Sequence, residues 1–308
     1  MQKVAFGKTG LNISRLGFGG APIGYLKIDQ DRAGRILHLL LDSGVNLIDT
    51  AASYPGSEEL IGSAVGHRRD QFILVSKCGS ALDDVDGAAW SPKLIAATVD
   101  RSLRKLNTDR LDVMLLHSCD LKTLQRGDAL AALVKAREAG KIRFAGYSGD
   151  NEAAAYAITL PDVAVLETSV NVTDQANLRT VIPRANQAGI GILAKRPLAN
   201  AAWKELTEQP GLYKSYAKTY YDRLRVMKLN PTNLGFAGPM DAVWPELAMR
   251  FTLSHPGVHC AIIGTTSPDN ARANIAYAQK GPLPEDVVKK IEQVYRAADP
   301  EGKWEGQT

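Results

Sequence analysis

The sequence predicts an α/β fold closed as a (β/α)8 TIM barrel, and three features carry that prediction. Short apolar runs bounded by Gly, Asp or Asn alternate with helical patterns along nearly all of the 308 residues. Eight strand and helix pairs can be read in that alternation, a number that in a chain of this size favours a closed barrel over an open sheet. No repeat, low-complexity tract or linker divides the chain, so residues 1–308 form a single predicted domain.

Taken in order, residues 3–6 and 11–14 flank Gly7-Lys8-Thr9-Gly10, which reads as an N-terminal β-hairpin that plugs the barrel floor. Strands are expected at 15–19, 45–50, 72–77, 111–117, 142–148, 163–169, 191–195 and 259–264. Helices are expected at 32–42, 57–65, 92–106, 123–139, 152–159, 178–187, 245–253 and 268–278. Ser57 ahead of Glu58 and Glu59 reads as a helix start, and Ser91-Pro92 and Ser267-Pro268 fit an N-cap followed by proline at the first helical position. Residues 199–244, with Trp203, Tyr213, Tyr216, Tyr220, Tyr221 and Phe236, are expected to be the least regular stretch. An extra C-terminal helix is expected at 284–298, where Val287, Val288, Ile291 and Val294 share a packing face.

Composition narrows the function. The 37 Lys and Arg against 33 Asp and Glu are scattered evenly and leave only +4, so no nucleic-acid footprint is expected. No apolar run approaches the roughly 18–20 residues of a membrane span, and MQKVAFGKTG lacks a basic region followed by an apolar one, so neither membrane nor secretion is expected. Cys78, Cys119 and Cys260 are odd in number and lie in or beside apolar runs, which predicts reduced thiols and a cytoplasmic protein.

A barrel of this kind carries its site where the strands end. Asp49, Lys77 and His117 each end a strand, on a face whose lower positions, Leu47, Val75, and Val113 with Leu115, are apolar. Alone, Asp49 could cap a turn, Lys77 could snorkel and His117 could be a core histidine. Together an acid, a base and a histidine on three successive strands converge on the barrel mouth. The short, mobile-looking loop after Asp49 returns Tyr54 over the same strand ends, a natural proton donor. A free phenol titrates near 10, and the ammonium of Lys77, held by Asp49, is expected to bring Tyr54 down from there.

These residues sit in DTAASYPGSEELIG, VSKCG and DVMLLH, which resemble the aldo-keto reductase family. The opening GKTGLNISRLGFGGAPIG and the late IIGTTSPDNARAN resemble it too, so the likeness covers almost the whole chain. The family's tetrad of Asp, Tyr, Lys and His falls on Asp49, Tyr54, Lys77 and His117. The resemblance implies hydride transfer between nicotinamide and a small aldehyde, ketone or sugar carbonyl. Tyr54 would then be the acid in reduction and the base in oxidation.

An open dinucleotide-binding sheet is not indicated, because Gly17-Phe18-Gly19-Gly20-Ala21-Pro22 places Pro22 where a third glycine is needed. Barrels instead hold phosphates near the loops after strands seven and eight. Here those loops supply Arg196, Pro197, Leu198 and Asn200, then Gly264, Thr265 and Thr266, with Ser267-Pro268 opening a helix whose amides are free and Asn270 and Asn274 beside it. By resemblance, Ser148 holds the nicotinamide carboxamide. The chain departs from the family in having Gly149 for Asn, Glu167 for Gln, Val170 near a usual aromatic and Asn270 at a position often held by Arg. Glu167 can accept from the amide NH2 but cannot donate as Gln does. NADP is the first expectation for the cofactor, with NAD second.

Tyr25, Trp90 and Trp203, and beside them Tyr213, Tyr216 and Trp244, are substrate-pocket candidates, although aromatics in such loops also bury for bulk. His117 and Cys119 lack a third and fourth ligand at metal spacing, so no metal is expected. Two other readings compete with the reductase: an aldose dehydrogenase working toward oxidation, suggested by GFGGAPIG, and a non-catalytic NADP-binding sensor subunit of the same fold. The expected partner is a small carbonyl or alcohol, and the sequence is silent on oligomeric state.

Overall fold

Eight parallel strands close into a barrel in the order β10-β3-β4-β5-β6-β7-β8-β9, behind an antiparallel hairpin of β1 (Lys3–Ala5) and β2 (Asn12–Ser14). The barrel strands are β3 (Leu16–Gly19), β4 (Leu47–Asp49), β5 (Ile73–Cys78), β6 (Leu111–His117), β7 (Ile142–Ser148), β8 (Val163–Ser169), β9 (Gly191–Lys195) and β10 (Cys260–Ile263). The computed structural model describes residues 1–209 and 211–308, the side chains at 211–214 excepted. Four expected strands, 111–117, 142–148, 163–169 and 191–195, match in full, and the other four differ only at their ends.

Alternation along each strand sends one set of side chains inward and the other under the helices. Leu47, Val75, Val113, Leu115, Val165, Leu193, Cys260 and Ile262 fill the barrel. Phe6, Leu11 and Ile13 from the hairpin join the same cluster and close its floor, as expected. Ile48, Leu74, Met114, Leu116, Leu166, Ile192 and Ile263 point the other way, into the layer beneath the helices. Each such side chain contributes about 1.5–3 kcal/mol by leaving water, so the lower barrel is apolar and polar groups survive only at its mouth. Gly7 makes the hairpin turn at φ 54, and a Cβ there would lie 2.5 Å from the Gly189 carbonyl oxygen.

Several helices differ from expectation for physical reasons. The stretch 123–139 is two helices, Leu121–Arg126 and Asp128–Glu138, because Gly127 adopts φ 76 between them. The stretch 178–187 divides into Ala176–Thr180 and Ile182–Gln187, with Pro183 in the first turn of the second. Ser57 opens the helix Ser57–Val65 as expected, with Gly56 at the cap, and Ser91 and Ser267 cap as predicted through hydrogen bonds accepted from Leu94 N and Asn270 N.

The segment 199–244 is largely helical, contrary to expectation, with helices Gly211–Met227 and Met240–Leu253. Ala217, Tyr220, Leu224 and Met227 are buried at helical spacing. Tyr220 and Leu224 pack with Trp244, Phe251 and the buried Val287 and Ile291 of the C-terminal helix Glu285–Ala298.

Candidate active site at the barrel mouth

Asp49, Lys77 and His117 meet because three successive strands end in them. Lys77 Nζ lies 2.5 and 2.6 Å from the two Asp49 carboxylate oxygens and donates to the Thr50 carbonyl at 3.1 Å. Its fourth neighbour is Glu167 Oε2 at 3.2 Å, an ion-pair distance without hydrogen-bond alignment. All three charged groups are buried. Burial pulls the Lys77 ammonium down, but Asp49 and Glu167 outweigh it and hold the group well above its usual range. Burial and then Glu167 push Asp49 far up against the pull of Lys77. The two carboxyls around the one ammonium thus hold Lys77 charged.

The loop bearing Tyr54 is braced by hydrogen bonds. Ala52 N donates to the Lys77 carbonyl at 3.1 Å, and Arg101 Nη1 donates to the Ala52 carbonyl at 3.3 Å and to Glu58 Oε2 at 3.2 Å. Ser57 Oγ donates to the Gly20 carbonyl at 2.9 Å and lies 2.9 Å from Thr50 Oγ1. The Tyr54 ring is 5.7 Å from that of His117 at 78°, 5.6 Å from that of Tyr25, and 5.5 Å from Lys77 Nζ. Burial pushes the Tyr54 phenol up, Lys77 opposes, and Asp49, Glu167 and Tyr25 add to the rise. Lys77 thus pulls the phenol down as expected, but burial and the two carboxylates outweigh it. His117 is brought down to about 3 by burial and then by Lys77, Lys195 and Arg196, so its imidazole is neutral, with Nδ1 3.4 Å from Ser53 Oγ.

Ser148 is buried at the end of β7, in register with His117 on one side and Glu167 on the other. After β10, Thr265 Oγ1 accepts from Ser267 N at 3.0 Å and Ser267 Oγ accepts from Asn270 N at 3.3 Å, opening the helix Pro268–Gln279. Gly264 and Asn270 are exposed there, Thr266 is half-buried and Asn274 is buried. The other expected phosphate loop is arranged differently. At φ 56, Arg196 turns its guanidinium to Ser169 Oγ, to the Gln307 carbonyl and over the Tyr216 ring, while Asn200 Nδ2 donates to the Tyr216 carbonyl at 3.3 Å. Pro197 is buried and Leu198 packs at the margin of the core.

Of the aromatic candidates whose side chains are described, only Tyr25 touches the tetrad. Trp90 packs against the core beneath the helices, and Trp203 stacks parallel on Trp244 with rings 5.7 Å apart. The Tyr213 side chain lies outside the described residues. All three cysteines are free and buried, and burial raises each thiol, Cys119 to about 12. Among the described residues, no three His, Cys, Asp or Glu side chains gather as a metal site.

A second polar cluster beside the tetrad escaped the sequence reading. Lys195 Nζ lies 2.9 Å from Asp150 Oδ2, whose other oxygen accepts from Thr168 Oγ1, Ser169 N and Asn177 Nδ2. Asp174 accepts from Tyr220 OH at 2.9 Å and from Gln307 N at 3.0 Å, and Arg223 Nη2 donates to the Glu305 carbonyl at 2.7 Å. The basic pair Lys195-Arg196 at a strand end was the available signal. Its joining to residues 305–307 is long-range and leaves no local trace.

The aldo/keto reductase family model matches residues 15–296. The chain is 27% identical to the uncharacterized oxidoreductase YqkF of Bacillus subtilis over 95% of this chain and 96% of that protein. It is 26% identical to an L-galactose dehydrogenase of Arabidopsis thaliana over 88% and 86%. The holo form of an aldo-keto reductase from Bacillus halodurans superposes with a TM-score of 0.80 at 25% identity, covering 96% of each chain. Fold and site together define a barrel oxidoreductase. The chain belongs to the aldo/keto reductase family and is an NAD(P)H-dependent oxidoreductase.

Proposed function

We propose that this protein interconverts small aldehydes, ketones or sugar carbonyls with their alcohols, using Tyr54 as general acid in reduction and general base in oxidation. The observation that carries this reading is the meeting of the Tyr54 and His117 rings beside the buried Lys77–Asp49 pair.

The chain's residues fit a nicotinamide dinucleotide at both of its ends. The Asp269 amide at the start of the helix Pro268–Gln279, with the side chains of Thr266 and Asn270, suits an anion. Ser148 and the buried Glu167 Oε2, which has no hydrogen-bond donor of its own, suit a carboxamide. The bound cofactor would supply or accept the hydride. As negative charge grows on the carbonyl oxygen, Tyr54 gives its proton and the neutral His117 donates a hydrogen bond from its N–H. Lys77 and Asp49 act on Tyr54 through charge and do not touch the substrate. Gly264, Thr265 and Asn274 complete the phosphate loop, and Arg196, Pro197, Leu198 and Asn200 border it from the β9 side. Tyr25 is the best-placed wall of the substrate pocket, with Trp90 and Trp203 in supporting roles. NADP is the cofactor of this reading, and buried free thiols support a reducing compartment, the cytoplasm.

The test is a panel of aldehydes, ketones and aldoses with NADPH and NADH, followed by loss of reduced-nicotinamide fluorescence, and the reverse assay with oxidised cofactor. Turnover of small carbonyls with NADPH is expected. Oxidation of aldoses alone would favour the dehydrogenase reading, which the similarity to an L-galactose dehydrogenase supports. Tight cofactor binding without turnover of anything would favour the sensor.

A further inference from the structure

Glu167 is the one member of the buried charge cluster around Lys77 that lies outside the tetrad. It lies on β8, across the barrel from Asp49 on β4, yet its Oε2 comes within 3.2 Å of Lys77 Nζ. Its side chain is 5% exposed, and that oxygen accepts no hydrogen bond in the protein. An unpartnered carboxylate oxygen in so dry a place costs free energy unless a nearby charge compensates it. Lys77 is already engaged by both oxygens of Asp49. The ammonium is therefore divided between two carboxylates. Tyr54, whose ring centroid is 5.5 Å from the same nitrogen, receives what remains.

We propose that Glu167 is a positioning residue for the proton transfer: by sharing the Lys77 ammonium with Asp49 it withholds positive charge from Tyr54 and keeps the phenol protonated, the form that gives its proton in carbonyl reduction. This rests on the reading of Tyr54 as the acid. The groups facing Tyr54 are Asp49 on β4, Lys77 on β5, His117 on β6, Glu167 on β8 and Tyr25 of the helix Ala21–Tyr25, with Lys195 of β9 and Arg196 acting at His117. His117 is neutral, so the balance at the phenol lies between one cation and two carboxylates. The sign of each influence agrees: Lys77 lowers the phenol's proton affinity, and Asp49 and Glu167 raise it.

The experiment compares the wild type, Glu167→Gln and Glu167→Asp by two readouts. One is a titration, followed by fluorine NMR without cofactor, of a ring-fluorinated tyrosine placed at 54. The other is the limb of the alcohol-oxidation profile along which activity rises with pH as the phenol gives up its proton. Glu167→Gln should move both midpoints down by about 1–3 pH units, the effect of one close charge, so that oxidation reaches its plateau at lower pH. Glu167→Asp should return both toward wild type. Unmoved midpoints in Glu167→Gln, with only KM or stability altered, would overturn the proposal. So would loss of the fold, since the second carboxylate is surplus to the Lys77–Asp49 pair. Full activity in Tyr54→Phe would instead overturn the reading of Tyr54, while the fluorine titration still reports the charge coupling on its own.

Discussion

The imidazole of His117 meets the phenol ring of Tyr54 edge-on, centroids 5.7 Å apart and planes at 78°. Burial and three neighbouring cations hold that imidazole near 3, so it is a neutral hydrogen-bond donor throughout the working range. The pH–rate profile of carbonyl reduction should therefore show no histidine inflection between about pH 5 and 8. An inflection near 6.5 that disappears in His117→Gln would contradict this.

Lys77 is the only cation in contact with the Asp49 and Glu167 carboxylates among the described residues. Lys77→Met leaves both without it and should destabilise the fold by about 3–5 kcal/mol at neutral pH. Burial pushes Asp49 up, so that loss should be smaller in mild acid, where this carboxyl can be protonated, and should grow as pH rises. Urea unfolding of both proteins across the pH range measures it. A loss independent of pH would mean that packing, not charge, is what Lys77 supplies.

At the phosphate loop, Asn270 is exposed and sits in the first turn of a helix capped by Ser267. Asn270→Asp should weaken NADPH at least about tenfold, roughly 1.4 kcal/mol, and NADH much less, if a 2′-phosphate lies there. Ser267→Ala should weaken both alike while costing the helix about 1 kcal/mol. Fluorescence titration with each cofactor distinguishes them, and equal weakening by Asn270→Asp would make NAD the natural cofactor.

Far from the site, His255 lies edge-on to Phe251 with rings 4.8 Å apart, its Nε2 buried without a partner, and burial brings it down to about 4. Its native pKa is below its unfolded one. The stability it contributes is therefore complete above about pH 6.5 and is lost as pH falls toward 4. His255→Phe should flatten the decline in stability over that interval by up to about 2 kcal/mol, measured by urea melts at successive pH values. An unchanged slope would contradict the assignment.

Much of this molecule was legible because its signals are local. Strand periodicity located the barrel strands, and the rule that polar residues end apolar faces placed Asp49, Lys77 and His117 at one mouth. Gly127 shows where local reading fell short: a single left-handed residue divides a helix whose apolar pattern runs on past it. The helix Gly211–Met227 was missed because its tyrosines resembled a binding loop, although Ala217, Tyr220, Leu224 and Met227 carry the helical period. The direction of the Tyr54 shift was out of reach, since it depends on Glu167 crossing the barrel to Lys77 and on how dry the mouth is. For the same reason the grip of Ser169 and Arg196 on Gln307 could not be foreseen.

The most direct test of the whole account is the turnover of Tyr54→Phe, measured beside its cofactor affinity. The substitution keeps the ring that packs on His117 and removes only the transferable proton. Turnover should fall by several orders of magnitude in both directions, while the dissociation constant for NADPH stays near that of the wild type. Turnover within about tenfold of wild type would show that another group moves the proton and would contradict the central claim.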